Sequence, residues 1–177
     1  QGVMRAFVAT YVKKGATQGG SSLTQQYVKN VLLLQAQEDN DPIAEYHASE
    51  ETVARKLREM LIAVQMEKTY SKLEILQGYL NIAQFGRGIY GVEMAARRYF
   101  STTADKLDIV QAATIAAITK NPAAFDPSVE SNQKASQRER NIVLDLMYQE
   151  EYISQKQRDE AKAKPLKDTL KLQDAQA

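Results

Sequence analysis

Cysteine is absent from this 177-residue chain, and histidine occurs once. The first absence excludes disulfides and thiol chemistry, and it is compatible with either side of a membrane. The second leaves too little for a histidine-based metal cage or catalytic triad. His47 stands in an acidic, loop-like stretch and reads as a surface residue. One-sided charge is lacking too. Lys and Arg total 23 against 22 Asp and Glu, so the electrostatic footprint of a nucleic-acid binder is missing. No apolar run approaches the roughly 18 residues of a bilayer-spanning helix. No secretory leader is visible. The chain opens at Gln1, without an initiator methionine and already inside a helical pattern, and it reads as a fragment of a longer protein.

Strand signals are scarce, and most segments show the three-to-four-residue apolar spacing of helices. The length suffices for one domain with a real core. Val3, Phe7, Val8, Tyr11 and Val12 line one side of a short basic helix ending near Gly15. That side reads as core, and the flanking Lys13 and Lys14 leave a membrane-facing role open. A second helix runs from Gln25 to Leu34. Gln35–Glu51 turns polar and acidic, with Asp41-Pro42 as a breaker, and is expected to be a mobile loop. Val53–Lys68 is helical, with Leu57, Leu61, Val64 and Met66 at apolar positions. Ser71 and Glu74 form a capping box that opens a helix running to about Gln84.

Phe85–Gly91 is glycine-rich and must turn. Val92–Phe100 and Leu107–Thr119 are further helices, the second rich in alanine and isoleucine as a buried centre would be. Asn121-Pro122 stops it. Asn132–Gln149 forms a long helix, and Ser154–Ala163 a shorter one with its own S-x-x-Q start. After Pro165 the chain reads as frayed. The class is all-α: one domain over residues 1–163, then a frayed tail or linker over 164–177, with no internal repeat.

The stretch Gln18–Asn30, QGGSSLTQQYVKN, is the most telling. A core-packing helix has little use for so many groups that bond back to their own backbone. Glycines let a backbone approach a ligand and present its N–H groups. Hydroxyls and amides orient a polyhydroxylated partner, and Lys29 supplies a mobile point charge suited to phosphate. The plain alternative is a polar helix start after a loop. The second landmark is Arg55-Lys56-Leu57-Arg58-Glu59. On a helix Arg55 and Glu59 share a face with Lys56 beside them. Taken alone, that is an ordinary surface salt bridge worth ~0.5 kcal/mol.

Order and spacing give these segments a common meaning. Gly19, Gly20, Ser21, Ser22, Thr24, Gln25, Gln26, Lys29 and Asn30 resemble the G-G-S-T-I-T-Q-Q-x-x-K-N signature of the peptidoglycan glycosyltransferases. These are the family-51 transglycosylase domains of class A penicillin-binding proteins and of monofunctional transglycosylases. R-K-x-x-E at Arg55–Glu59 resembles that family's next signature, and Lys72–Asn81 resembles K-x-x-I-L-x-x-Y-L-N. Arg140–Leu144 resembles R-R-x-x-V-L, with Glu139 where the first arginine is usual. Gly88–Phe100 and Ile118–Pro127 look like the connecting helices.

The resemblance implies a lysozyme-like all-α fold and growth of glycan strands from lipid II. The anomeric centre inverts and polyprenyl diphosphate leaves. Such a reaction needs a carboxylate to take the acceptor proton and cations to neutralise the departing diphosphate. On this reading Lys29, Arg55 and Lys56 contact phosphate, with Ser21, Gln25, Gln26, Asn30 and Lys72 as further substrate contacts. Glu59 is the second key glutamate, and Tyr79, Asn81 and Arg140 support the site. No cofactor is required. A divalent cation, Mg or Mn, would help screen the diphosphate, although no all-carboxylate cage is visible. Implied partners are lipid II, the growing glycan, the membrane surface, a fused transpeptidase domain and cell-wall assembly proteins, with no nucleic acid. The implied location is the outer face of the bacterial cell membrane, with an N-terminal transmembrane anchor on the parent protein. The phosphoglycolipid moenomycin is the implied inhibitor.

Two departures qualify the resemblance. The family's first signature, E-D-x-x-F-x-x-H-x-G, carries the general base, and the chain does not contain it. Gln1–Thr17 has no carboxylate to replace it, so the fragment is expected to be inactive alone. Glu51 stands where many relatives carry arginine, and a carboxylate there repels diphosphate. Two alternatives stay in view: a lytic transglycosylase of the related fold, which needs an acidic carboxyl but no diphosphate cradle, and a non-catalytic module that binds lipid-linked glycan.

Overall fold

The computed structural model describes residues 5–6 and 22–173. Arg5 and Ala6 are helical; the remainder of the expected N-terminal helix lies outside the described residues. The described residues are all-α apart from one small hairpin, and the chain divides into two compact units, one within Gln18–Ala83 and one built on Gln84–Ala177.

In the first unit α1 spans Leu23–Glu38. It starts earlier than the apolar pattern suggests because Ser22 caps it. The Ser22 hydroxyl accepts from the Gln25 N–H at 3.2 Å, and the Gln25 side-chain oxygen accepts from the Ser22 N–H at 3.0 Å. This is a capping box built on glutamine. The mobile loop expected over 35–51 is not there. Helix α1 continues to Glu38, and α2 occupies Pro42–Ser49. Asp41-Pro42 begins a helix instead of breaking one. Asp41 Oδ1 accepts from the N–H groups of Ile43 and Ala44, both at 3.0 Å, and Pro42 sits at the first helical position, where its missing N–H costs nothing.

Helix α3 spans Val53–Thr69 with Thr52 as cap, and α4 spans Lys72–Ile82. Helix α1 packs against α2, α3 and α4. The α1–α4 approach depends on Gly78, because a Cβ there would overlap the Tyr27 ring. The Ser71 box is as expected: Glu74 Oε2 accepts from the Ser71 N–H and hydroxyl, each at 2.7 Å. Those bonds hold the Glu74 carboxyl below its ordinary value. A depressed native value stabilises fully above the unfolded glutamate range and is lost as pH falls through it. The melting-temperature gap between the natural protein and Glu74→Ala is therefore expected to be widest at neutral pH and to close in acid. A gap independent of pH would remove the carboxylate from the cap.

The second unit opens with a hairpin of β1, Gln84–Gly86, and β2, Ile89–Tyr90, paired antiparallel with an irregularity between Gln84 and Gly86. Next come α5 (Val92–Phe100), α6 (Ile109–Ile118), the single turn α7 (Pro122–Phe125), α8 (Gln133–Gln149), α9 (Gln155–Ala163) and the turn α10 (Leu166–Thr169). Helix α6 is the core, buried at every position from Val110 to Ile118 except Gln111. The long α8 lies against it. The chain after Pro165 is tied down through Gln173. Leu166 is buried, the Lys171 N–H donates to the Tyr99 carbonyl at 2.8 Å, and the Gln173 N–H donates to the Arg98 carbonyl at 3.0 Å.

Candidate functional site

Helix α3 is turned inside out. Its buried residues are Arg55, Glu59 and Ala63, four apart along one face. Val53, Leu57, Met60, Leu61 and Val64 are exposed, Val53 to 77% and Leu61 to 68%. An ordinary amphipathic helix would show the opposite arrangement.

The buried pair is the centre of the site. Arg55 is 4% exposed and Glu59 2%. Arg55 Nη1 donates to Glu59 Oε1, and its Nε donates to the Glu50 carbonyl where α2 ends. Lys56 Nζ stands 3.7 Å from Glu59 Oε2 and is half exposed. The three side chains thus form one cluster with its guanidinium inside and its ammonium at the rim. The surface salt-bridge reading fails on burial. The resemblance gives Arg55 a phosphate contact; here its Nη1 and Nε are engaged by Glu59 and a backbone carbonyl. Lys56 is the accessible cation of this cluster.

Helix α1 supplies the other candidates. Lys29 is half-buried and has no ion-pair or hydrogen-bond partner among the described residues. Asn30 and Gln26 are half-buried beside it. Gln25 spends its oxygen on the cap, leaving its amide nitrogen for other partners. Ser21, with Gly19 and Gly20, lies outside the described residues. Thr24, buried, donates to Glu67 Oε1 at 2.6 Å and fastens the start of α1 to the end of α3. No periodicity in the sequence points to Glu67.

Lys72 is exposed at the first position of α4. Tyr79 is buried in that helix, and Asn81 is exposed near its end. Arg140 belongs to the second unit and is fully buried. Its Nε and Nη2 donate to Asn141 Oδ1 at 3.1 and 2.8 Å, and its Nη1 has no partner among the described residues. Burial lowers its pKa from the ordinary arginine value. Glu139, at the position where the signature carries arginine, accepts from Lys120 Nζ at 2.8 Å. Among the described residues no cluster of three or more His, Cys, Asp or Glu could hold a metal ion, and no helix is long and apolar enough to cross a membrane.

Fold and cluster together define an all-helical domain whose polar chemistry is cationic. Comparison with known proteins agrees. The family model described as Transglycosylase matches residues 1–148. Penicillin-binding protein 1A of Aquifex aeolicus is 38% identical over 164 residues, covering 93% of this chain and 20% of that protein. Penicillin-binding protein 1A/1B of Bacillus subtilis is 39% identical over 164 residues, covering 92% of this chain and 16% of its own length. The crystal structure of penicillin-binding protein 1A from Haemophilus influenzae aligns with a TM-score of 0.48 and 25% identity, over 85% of this chain and 17% of that one. This chain belongs to the transglycosylase family, and the relatives it matches are penicillin-binding proteins. It spans a fifth or less of the length of these curated relatives.

Proposed function

We propose that the chain is the glycan-polymerising part of a larger protein, extending peptidoglycan strands from lipid II with inversion and release of polyprenyl diphosphate. The observation that carries this reading is the inside-out helix α3. Its inner face offers a guanidinium–carboxylate pair with Lys56 at the rim, and its outer face offers an apolar stripe. A substrate with a diphosphate head and a lipid tail needs both, in adjoining places. Exposed apolar patches of this kind mark membrane or protein contact. The stripe supports work at a membrane surface, and on this reading a transmembrane helix of the parent protein anchors the domain at the outer face of the bacterial cell membrane. A fused transpeptidase domain and cell-wall assembly proteins belong to the same proposal.

In this mechanism Lys29 and Lys56 take the diphosphate oxygens as charge develops on them. Arg55 holds Glu59, and Glu59 in turn orients Lys56. Ser21, Gln25, Gln26, Asn30 and Lys72 are proposed as polar contacts, and Tyr79, Asn81 and Arg140 as support. Among the described residues no carboxylate cluster forms a divalent-cation cage, and the buried Glu59 carboxylate is paired with Arg55. No step is routed through such an ion. Glu59 accepts a guanidinium hydrogen bond, which suits it poorly to the proton-donating role that glycan cleavage requires. The proton-accepting carboxylate belongs to the signature not contained in this chain, so the isolated chain is inactive.

Moenomycin binding to the chain tests the cradle. We expect saturable binding, weakened about tenfold to a hundredfold in a Lys29→Ala, Lys56→Ala variant, the loss of two charge-assisted contacts. A longer protein that includes the E-D-x-x-F-x-x-H-x-G segment is expected to polymerise lipid II where the chain alone does not. Unchanged binding in the variant would take the cradle away from these lysines, and polymerisation by the chain alone would overturn the role given to the upstream glutamate.

A further inference from the structure

A groove of about 590 Å³ runs along α8 between that helix and the segment joining α9 to α10. It lies within the second unit and shares no residue with the α1–α3 cluster. Its walls are held together at both ends. The Leu166 N–H donates to Gln137 Oε1 at 2.8 Å, and Lys162 Nζ donates to both Asp145 oxygens at 2.9 and 2.8 Å. The groove therefore exists before anything enters it.

Its lining combines two properties. Four cations, Lys134, Arg138, Lys162 and Lys167, face a single carboxylate, Asp145. Lys162 satisfies Asp145, which leaves three positive charges without a hydrogen-bond or ion-pair partner among the described residues. Lys134 and Arg138 are one turn apart on α8 and all three are exposed. Between them lies an apolar strip made by Ile142, 41% exposed, and the exposed Pro165, with Leu166 buried beneath it. The whole chain has a formal charge of only +1, so this excess is local.

We infer that the groove docks an acidic segment of a partner protein, one with carboxylates to meet Lys134, Arg138 and Lys167 and an apolar side chain to cover Ile142. Charge complementarity selects the sign of the occupant and steers its approach. The concave shape between two fixed walls admits a peptide bearing side chains, whereas a membrane surface meets only the rim. The apolar strip distinguishes the site from a merely basic face, since a simple polyanion would leave it uncovered. This inference does not draw on the glycosyltransferase reading and survives its failure.

The test uses the chain and a fluorescein-labelled synthetic peptide rich in Glu and Asp with central leucines, followed by anisotropy. Saturable binding is expected, falling with salt. It weakens about tenfold to a hundredfold in Lys134→Glu, Arg138→Glu, Lys167→Glu, which turns three exposed attractions into repulsions. A neutralising set, Lys134→Gln, Arg138→Gln, Lys167→Gln, gives an intermediate loss and guards against misfolding by charge reversal. A peptide with serine in place of leucine binds more weakly. No saturable binding overturns the proposal, as does equal binding of the serine peptide. Phosphatidylserine vesicles serve as the competing surface: if the three cations hold vesicles and not the peptide, the groove is a membrane contact and the inference fails.

Discussion

Glu59→Ala is expected to destabilise the first unit by about 3–5 kcal/mol, the cost of removing one partner from a buried ion pair. The alanine leaves the Arg55 guanidinium inside, at 4% exposure, with only the Glu50 carbonyl as a described partner. Lys56 can turn its ammonium to water, being half exposed, and does not share the penalty. Replacing the pair together is a different experiment. An Arg55→Met, Glu59→Leu variant removes both charges and fills the space, which is neutral or even stabilising in comparable sites. Urea unfolding of the natural chain, Glu59→Ala and the double variant measures the stability side, and moenomycin binding measures the other. A folded double variant that has lost binding assigns the pair to the ligand. A folded double variant that binds normally makes the pair a packing device. A cost for Glu59→Ala below about 1 kcal/mol, the range of surface pairs, would contradict the burial on which this argument rests.

The elements most legible in the sequence are those whose ends carry side-chain caps. The Ser71–Glu74 and Ser154–Gln157 boxes mark helix starts that the structure reproduces, because the signal is local and chemical. The alanine- and isoleucine-rich run over Ile109–Ile118 announces a buried helix and is one. Asp41-Pro42 misled because the same dipeptide ends one helix and starts the next, and composition cannot tell which. The hairpin was missed because strands of three and two residues are too short for alternation to appear. The ordered chain beyond Pro165 was missed because one buried leucine and a few backbone hydrogen bonds, not periodicity, hold it.

The site divides the same way. Spacing places Arg55, Lys56 and Glu59 on one helix face, and they are together there. Spacing does not say which face is inside. Leu57, Leu61 and Val64 are apolar positions of this helix in sequence, and they are on the outside. That inversion arises from what packs against α3, information that no single helix contains.

Gly86→Ala is expected to cost about 2–5 kcal/mol, from overpacking at ~1–3 kcal/mol together with backbone strain of similar size. A Cβ at this position would overlap the Tyr99 hydroxyl and approach Asp126 Oδ2 to 2.8 Å. The backbone has φ +153°, outside the range that side-chain-bearing residues favour. Neither neighbour can retreat cheaply. The Tyr99 hydroxyl donates to the Phe85 carbonyl at 2.7 Å, and the ring is fully buried. Asp126 Oδ1 accepts from the N–H and hydroxyl of Ser128 at 2.9 and 2.6 Å. Burial, with the Asp126 carboxylate, pushes the Tyr99 phenol well above the usual tyrosine range, so it remains a protonated donor at working pH. Tyr99→Phe alone costs about 0.5–1.5 kcal/mol, the net worth of the hydrogen bond to the Phe85 carbonyl. Combined with Gly86→Ala, however, it removes the oxygen that the new methyl strikes. The double variant is therefore expected to be less destabilised than the sum of the singles, with a coupling of roughly 0.5–3 kcal/mol. Strict additivity in thermal or urea unfolding would mean that the strain lies in the Gly86 backbone alone, and that the hydroxyl yields without cost.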